Sequence, residues 1–251
     1  MGACTLRLKL PRNLLDPRAM GLPQPDGEGL VALQIEQQDG IVRALRPLPA
    51  GCDPSQLPVA LTPLVEPHAH LDKAFTASDA PNWEGSMAAA LAQNQREYGQ
   101  RSAEQVLERS QAALERSWRY GIRAVRSHID SVGPGAEASW QALISQRQRW
   151  QGRIDLQLVA LAPVAHWLRP EGEALARQVA DGGGWLGGVV GPPYGVAGMA
   201  EQEAITALLA LAERLGCGID LHVDEADHHP DRKSTRLNSS HSSVSRMPSS
   251  A

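Results

Sequence analysis

Cysteine is scarce. The 251 residues hold three, Cys4, Cys52 and Cys217, and none sits in a C-x-x-C pair. That excludes a zinc ribbon or a disulfide framework and suits a reducing compartment, so a cytoplasmic location is expected. No apolar run is long enough to cross a bilayer, and the opening MGACTLRLKL lacks the apolar stretch of a signal peptide. Gly2 hints at myristoylation, but Leu6 stands where that motif needs Ser or Thr. An excess of basic charge is also missing: 24 Lys and Arg face 28 Asp and Glu, a net charge of -4. Neither nucleic acid nor membrane is therefore an expected partner.

What remains has ordinary globular proportions, 42% hydrophobic and 21% charged. The end of the chain departs from them. DRKSTRLNSSHSSVSRMPSSA, residues 231–251, is rich in serine, carries Arg232, Lys233, Arg236 and Arg246 against Asp231, and has almost nothing apolar. Such a segment cannot bury enough surface to offset its ordering entropy, so disorder is expected. The string DRKSTRLNSSH also resembles a translated sequencing-library adapter. The expectation is a foreign tail on a protein fragment that is cut short after Pro230, with its last strand left at an open edge.

Residues 1–60 read as a small β subdomain. LRLKL alternates apolar and charged residues, and LVALQIEQ and IVRAL flank a QDG turn signal. From residue 61 to 230 strand and helix patterns alternate. LTPLVEP, IRAVRSHID, IDLQLVAL, WLGGVVG and GIDLHVDE are the strands. A helix starts at Ser102, with Gln105 in capping-box position and Leu107, Leu114 and Trp118 on one face, and stops near Gly121. Another runs from about Ala200 to Leu215. Repeated βα units imply a parallel sheet. No G-x-G-x-x-G follows the first strand, which disfavours a nucleotide-binding open sheet. An eight-stranded TIM-type barrel that stops after about five units fits better.

Two strand ends carry chemistry. In VEPHAHLDKAFT, His68 and His70 are two apart on extended chain, so both imidazoles point to one side and can chelate one divalent metal. They follow an apolar strand at the end where barrel enzymes place active sites. In IDLHVDEAD, His222 ends another strand and Glu225 follows three residues later. A third imidazole and a carboxylate that is not a ligand are what metal-assisted hydrolysis needs: an activated water and a group to move its protons.

PHAHLDKAFT, VRSHID, IDLQLVA, LGGVVG and IDLHVDEAD, in this order over about residues 60–230, resemble the cytosine-deaminase-like amidohydrolases. The resemblance implies a (β/α)8 barrel with a small N-terminal β-sandwich. It implies one zinc or iron ion on His68, His70 and His222, with Glu225 as proton shuttle. The activity implied is hydrolysis of a non-peptide C–N bond in a small nitrogen heterocycle. WLGGVVGPPYG has no lysine that could be carboxylated to bridge two metals. The family's further His and Asp, after later strands, have no counterpart here. Pro163 stands where cytosine deaminases present a glutamine to the pyrimidine, so isocytosine or a triazine is as open as cytosine.

Other residues carry weaker signals. Lys73 could touch substrate or pair with Asp72. His128 and Asp130 could line the pocket or brace strand ends. His166, in the loop after the third strand, could reach substrate, and Arg126 reads as structural. Two further readings stay open: cyclic amide hydrolysis of the dihydroorotase or imidazolonepropionase type, and a non-catalytic fragment. A homo-oligomer of a full-length form also stays open.

Overall fold

The computed structural model of the chain describes residues 2–18, 20–191, 198–223, 225 and 243–246. It divides into two units, Met1–Pro63 and Leu64–Ala251. Among the described residues no helix is long and apolar enough to cross a membrane.

The first unit is an antiparallel sheet of β1 (Ala3–Pro11), β2 (Leu30–Gln38) and β3 (Ile41–Pro47), in that order. Alternation decides its buried face: Val31, Leu33 and Ile35 of β2 point inward, and Leu15 packs on the first two. Each such side chain contributes about 1.5–3 kcal/mol by leaving water. The β2–β3 hairpin turns at Asp39 and Gly40, both at positive φ (53° and 79°), the geometry that matches strand twist. Where a sandwich was expected, the described residues form this single three-stranded sheet.

The second unit is an α/β half-barrel. Five parallel strands, β4 (Leu64–Ala69), β5 (Ile122–Asp130), β6 (Asp155–Leu161), β7 (Trp185–Val190) and β8 (Ile219–Val223), lie side by side in chain order. Between them run α1 (Met87–Tyr98), α2 (Ala103–Arg119), α3 (Ala136–Arg149), α4 (Pro170–Asp181) and α5 (Met199–Leu215). A doubly wound sheet reverses its strand order at a switch point. This sheet never does, which is the winding of a barrel. One core cluster joins Val125, Ile129 and Leu158 to Val106, Leu114 and Leu143; a second joins Ala160 and Leu186 to Ala176, Val179 and Leu208.

The sixth strand, β9 (Ser243–Arg246), is antiparallel to β8, with His222 opposite Ser243 and Ile219 opposite Arg246. This corrects two expectations. The fifth parallel strand is not at an open edge, and four residues of the serine-rich segment are ordered as strand. The physical reason is the edge itself: an unpaired strand presents a row of N–H and C=O groups that any extended segment can satisfy. The other residues of 231–251 lie outside the described residues.

Local signals fixed two helix ends. The Ser102 hydroxyl accepts from Gln105 N at 3.2 Å, and the Gln105 side chain accepts from Ser102 N at 3.0 Å, a complete capping box. The buried stripe of α2 is Val106, Ser110 and Leu114, with Leu107 and Trp118 half-buried beside it. Ser102→Ala should lower stability by about 1 kcal/mol in urea unfolding. The helix ending at Leu215 stops at Gly216, as its sequence implies. On β7, Gly187 is forced: a Cβ there would lie 2.7 Å from the Ala160 carbonyl oxygen and 3.0 Å from that of Asp220.

Candidate metal centre

Four histidines meet at the C-terminal ends of the strands. On β4 the period of two puts His68 and His70 on the same face, His70 one residue past the strand end. The Ser127 hydroxyl accepts from Leu71 N at 3.0 Å and ties the following turn to β5. His128 comes from β5 and His222 from β8. One ligand atom from each of the four lies within 4.8 Å of every other. His70 Nε2 and His222 Nε2 are 3.3 Å apart, the separation expected of two nitrogens sharing a tetrahedral ion at roughly 2.0–2.1 Å each. Ring centroids are 4.4 Å apart for His68 and His128, 4.6 Å for His68 and His222, and 4.6 Å for His128 and His222.

The cluster suits a cation. His128 and His222 are buried, and His70 Nδ1, His222 Nδ1 and both His128 nitrogens have no hydrogen-bond partner among the described residues. Buried polar atoms left so cost about 1–3 kcal/mol each. Burial, reinforced by Lys73 and the neighbouring imidazoles, holds His70 well below the usual histidine range. Burial, then His128 and His68, brings His222 down to about 3. These rings are therefore neutral near pH 7 and keep the lone pairs that metal binding requires.

A charged framework lies behind the cluster. Asp220, two residues before His222 on the same strand face, is buried; its Oδ2 is 2.6 Å from Arg126 Nη1 and its Oδ1 3.5 Å from His128 Nε2. Arg126 also stacks over Trp185, 4.1 Å from its centroid. Arg126 was read as structural, and this ion pair fits that reading. Burial works against the ionised Asp220 carboxyl, but the adjoining His128 ring and the Arg126 guanidinium hold it below the usual range.

Lys73 does not pair with Asp72. Its Nζ lies 3.1 Å and 3.2 Å from the Asp130 oxygens, because Asp72 turns inward on the same short turn and meets Arg101 at 3.0 Å. Arg101 is buried and also donates to Ser139 at 3.0 Å and to Glu97. Asp130 therefore braces rather than lining an open pocket. His166 stands apart from the cluster on the turn Val164–Leu168, its ring 5.8 Å from that of Trp167. Chiefly through burial, and also Arg169, its pKa is lowered. Glu225 is half-buried, two residues past the end of β8.

Sequence reasoning left His128 between lining the pocket and bracing a strand end, and overlooked Asp220 and Arg101. The signal for Asp220 was present: D-x-H on β8 and R-x-H on β5 each put a charge one step below a histidine on the same strand face. Arg101 had no such signal, since its partners Asp72 and Ser139 are 29 and 38 residues away.

No protein-family model matches the chain. A pterin deaminase from Rhizobium rhizogenes (strain K84 / ATCC BAA-868) is 31% identical over 218 residues, 83% of this chain and 48% of that protein. The 5-methylcytosine deaminase of Klebsiella pneumoniae, solved with phosphonocytosine, superposes with a TM-score of 0.71 at 25% identity, covering 91% of this chain and 53% of that one. N-isopropylammelide isopropylaminohydrolase from Burkholderia multivorans ATCC 17616 shares the fold at a TM-score of 0.59 and 23% identity, over 90% of this chain and 54% of that one. The chain thus spans about half the length of the relatives it matches.

Proposed function

We propose that the chain is a member of the cytosine-deaminase-like amidohydrolases and contributes the metal-binding half of an enzyme that deaminates a small nitrogen heterocycle; its similarity to a pterin deaminase and to the 5-methylcytosine deaminase fold supports this. The observation that carries this reading is the convergence of His68, His70, His128 and His222 at the strand ends. In the same reading the five parallel strands belong to an eight-stranded barrel and the three-stranded sheet to a β-sandwich.

His68, His70 and His222 would hold one divalent ion, zinc or iron, which would supply the Lewis acidity to lower the pKa of a water toward about 7. Glu225 takes a proton from the attacking water and delivers it to the exocyclic nitrogen, so that a C–O bond forms as the C–N bond breaks and ammonia leaves. Lys73 and His166 are assigned to the substrate side, Lys73 oriented by Asp130. The relatives' names favour loss of ammonia or an amine over opening of a cyclic amide. Pro163 offers no side-chain amide to a pyrimidine edge, and a pterin, isocytosine or aminotriazine ring suits the site as well as cytosine does.

The assay is metal-dependent ammonia release from pterin, 5-methylcytosine, isocytosine and an aminotriazine. It is run on the 251-residue chain and on a form extended to the relatives' length. The extended form, loaded with zinc or iron, should release ammonia and should stop when a chelator strips the metal. Ring-opened product instead of ammonia, or release that ignores the chelator, overturns the proposal.

A further inference from the structure

We propose that Asp130 cancels the Lys73 charge beside the histidine cluster, and so lets a substrate-side ammonium and a metal cation share one mouth. Asp130 is then a positioning residue and not a metal ligand. The proposal rests on reading the histidine cluster as a metal centre.

The chain itself brings both charges to the cluster. Lys73 ends the short turn Leu71–Lys73 that follows His70, and its backbone N–H donates to the His70 carbonyl at 3.2 Å. Asp130 comes two residues after His128 on β5. The strand period therefore puts these two side chains on one face, about 7 Å apart along the strand. Lys73 Nζ closes the square, 3.1 Å and 3.2 Å from the two Asp130 oxygens, with its side chain 24% exposed. The rings feel this ammonium: after burial it is the first cause that lowers His70, and it also lowers His222.

An ammonium in that place opposes a divalent ion, and water screens the repulsion poorly where the groups are largely buried. Asp130 is held where it offsets the charge. Asn94 Nδ2 donates to its Oδ2 at 3.3 Å, and the Tyr98 hydroxyl donates to its backbone carbonyl at 3.1 Å. Its own N–H donates to Asp72 Oδ2 at 3.1 Å. Arg101 lies 3.6 Å away but is matched by carboxylates of its own, Asp72 and Glu97. The Asp130 charge is thus left to Lys73, and the pair presents no net charge to the histidines. A neutral pair would brace the turn as well. The ammonium serves the substrate side, and the carboxylate makes it compatible with a metal.

The test is the Co(II) affinity of the 251-residue chain, read by visible absorption and chelator competition, beside the melting temperature of metal-free protein. Asp130→Asn should weaken cobalt binding about tenfold or more, because Lys73 is left uncompensated. Lys73→Met should tighten it, since an unpaired carboxylate then faces the ion. The double variant should return close to the parent, because it removes a neutral pair. A brace without an electrostatic role would lower the melting temperature and leave affinity alone, or would leave the double variant as weak as Asp130→Asn; either result overturns the proposal. If Asp130→Asn does not fold, Lys73→Met carries the test, and unchanged or weaker binding there overturns it. His70→Ala separates this proposal from the reading beneath it. If it abolishes cobalt binding while the charge variants change nothing, only the role of Asp130 fails. If it leaves binding intact, the metal centre itself is wrong.

Discussion

Glu225→Gln is expected to keep the metal content unchanged and to lower turnover by about 10²–10⁴-fold. The amide has the size of the carboxyl but cannot accept a proton, so binding is spared and the proton transfers are not. The position supports the division of labour. His68, His128 and His222 lie on the strands and His70 one residue past β4, whereas Glu225 lies two residues past β8 and outside the cluster of four. The measurement pairs metal analysis with steady-state kinetics in the extended, active form. A variant that loses its metal makes Glu225 a ligand. A variant with near-normal kcat removes it from the mechanism. Lost turnover should appear in kcat and kcat/KM together, as for an interaction made only in the transition state.

Arg101→Met should destabilise the barrel unit by about 3–5 kcal/mol, because it leaves Asp72 buried without its partner. The Arg101 guanidinium is shared among Asp72, Glu97 and Ser139, with Asp130 3.6 Å away, and it stacks over the Tyr98 ring at 4.7 Å. It thereby joins the turn after β4, the end of β5, and helices α1 and α3. The loss should depend on pH with a definite sign. Burial, and then the charge of Asp130, already raise the Asp72 pKa, and Lys73 and Arg101 oppose them. Without Arg101 the folded-state value rises further above the unfolded one. The folded state then binds more protons, so stability falls as pH rises through the interval between the two values. The variant should be weakest near neutral pH and recover toward pH 4 relative to the parent. Asp72→Asn in the same chain should restore part of the loss at neutral pH and flatten the pH dependence. Urea unfolding at several pH values reads both. Equal destabilisation at every pH would mean that lost packing, not the unpaired carboxylate, dominates.

How much of this could be read from the sequence depends on the range of each interaction. The β2–β3 hairpin, the start of α2 and the alternation of β4 and β8 are written within a few residues, and the structure has them where the sequence implies. His68 and His70 share a face by the strand period alone. Bringing His222 to them needed one assumption, barrel winding. The framework behind them needed far more. Arg126 and Asp220 are 94 residues apart, and each is marked only by its place two residues before a histidine on its own strand. Lys73 and Asp72 illustrate the opposite error. Adjacent in sequence, they invite pairing, but the turn sends one inward and the other toward Asp130. His128 was underestimated because a single histidine in R-S-H-I-D carries no spacing signal; only the curvature of the sheet brings it to the others.

Gly187 sets a limit on how this barrel can diversify by descent. Backbone carbonyls of two neighbouring strands, together with the Val159 Cγ1 methyl, occupy the space where its Cβ would go. A single codon change there cannot be absorbed by repacking; β6, β7 and β8 would have to spread together, and β8 carries Asp220 and His222. Drift at this position is therefore closed off, and with it any lineage that would grow a new side chain from β7 at this level of the barrel. Under the proposed function, variation that adapts the site to new rings would enter through the loops beyond the strand ends, where Pro163, His166 and Glu225 stand.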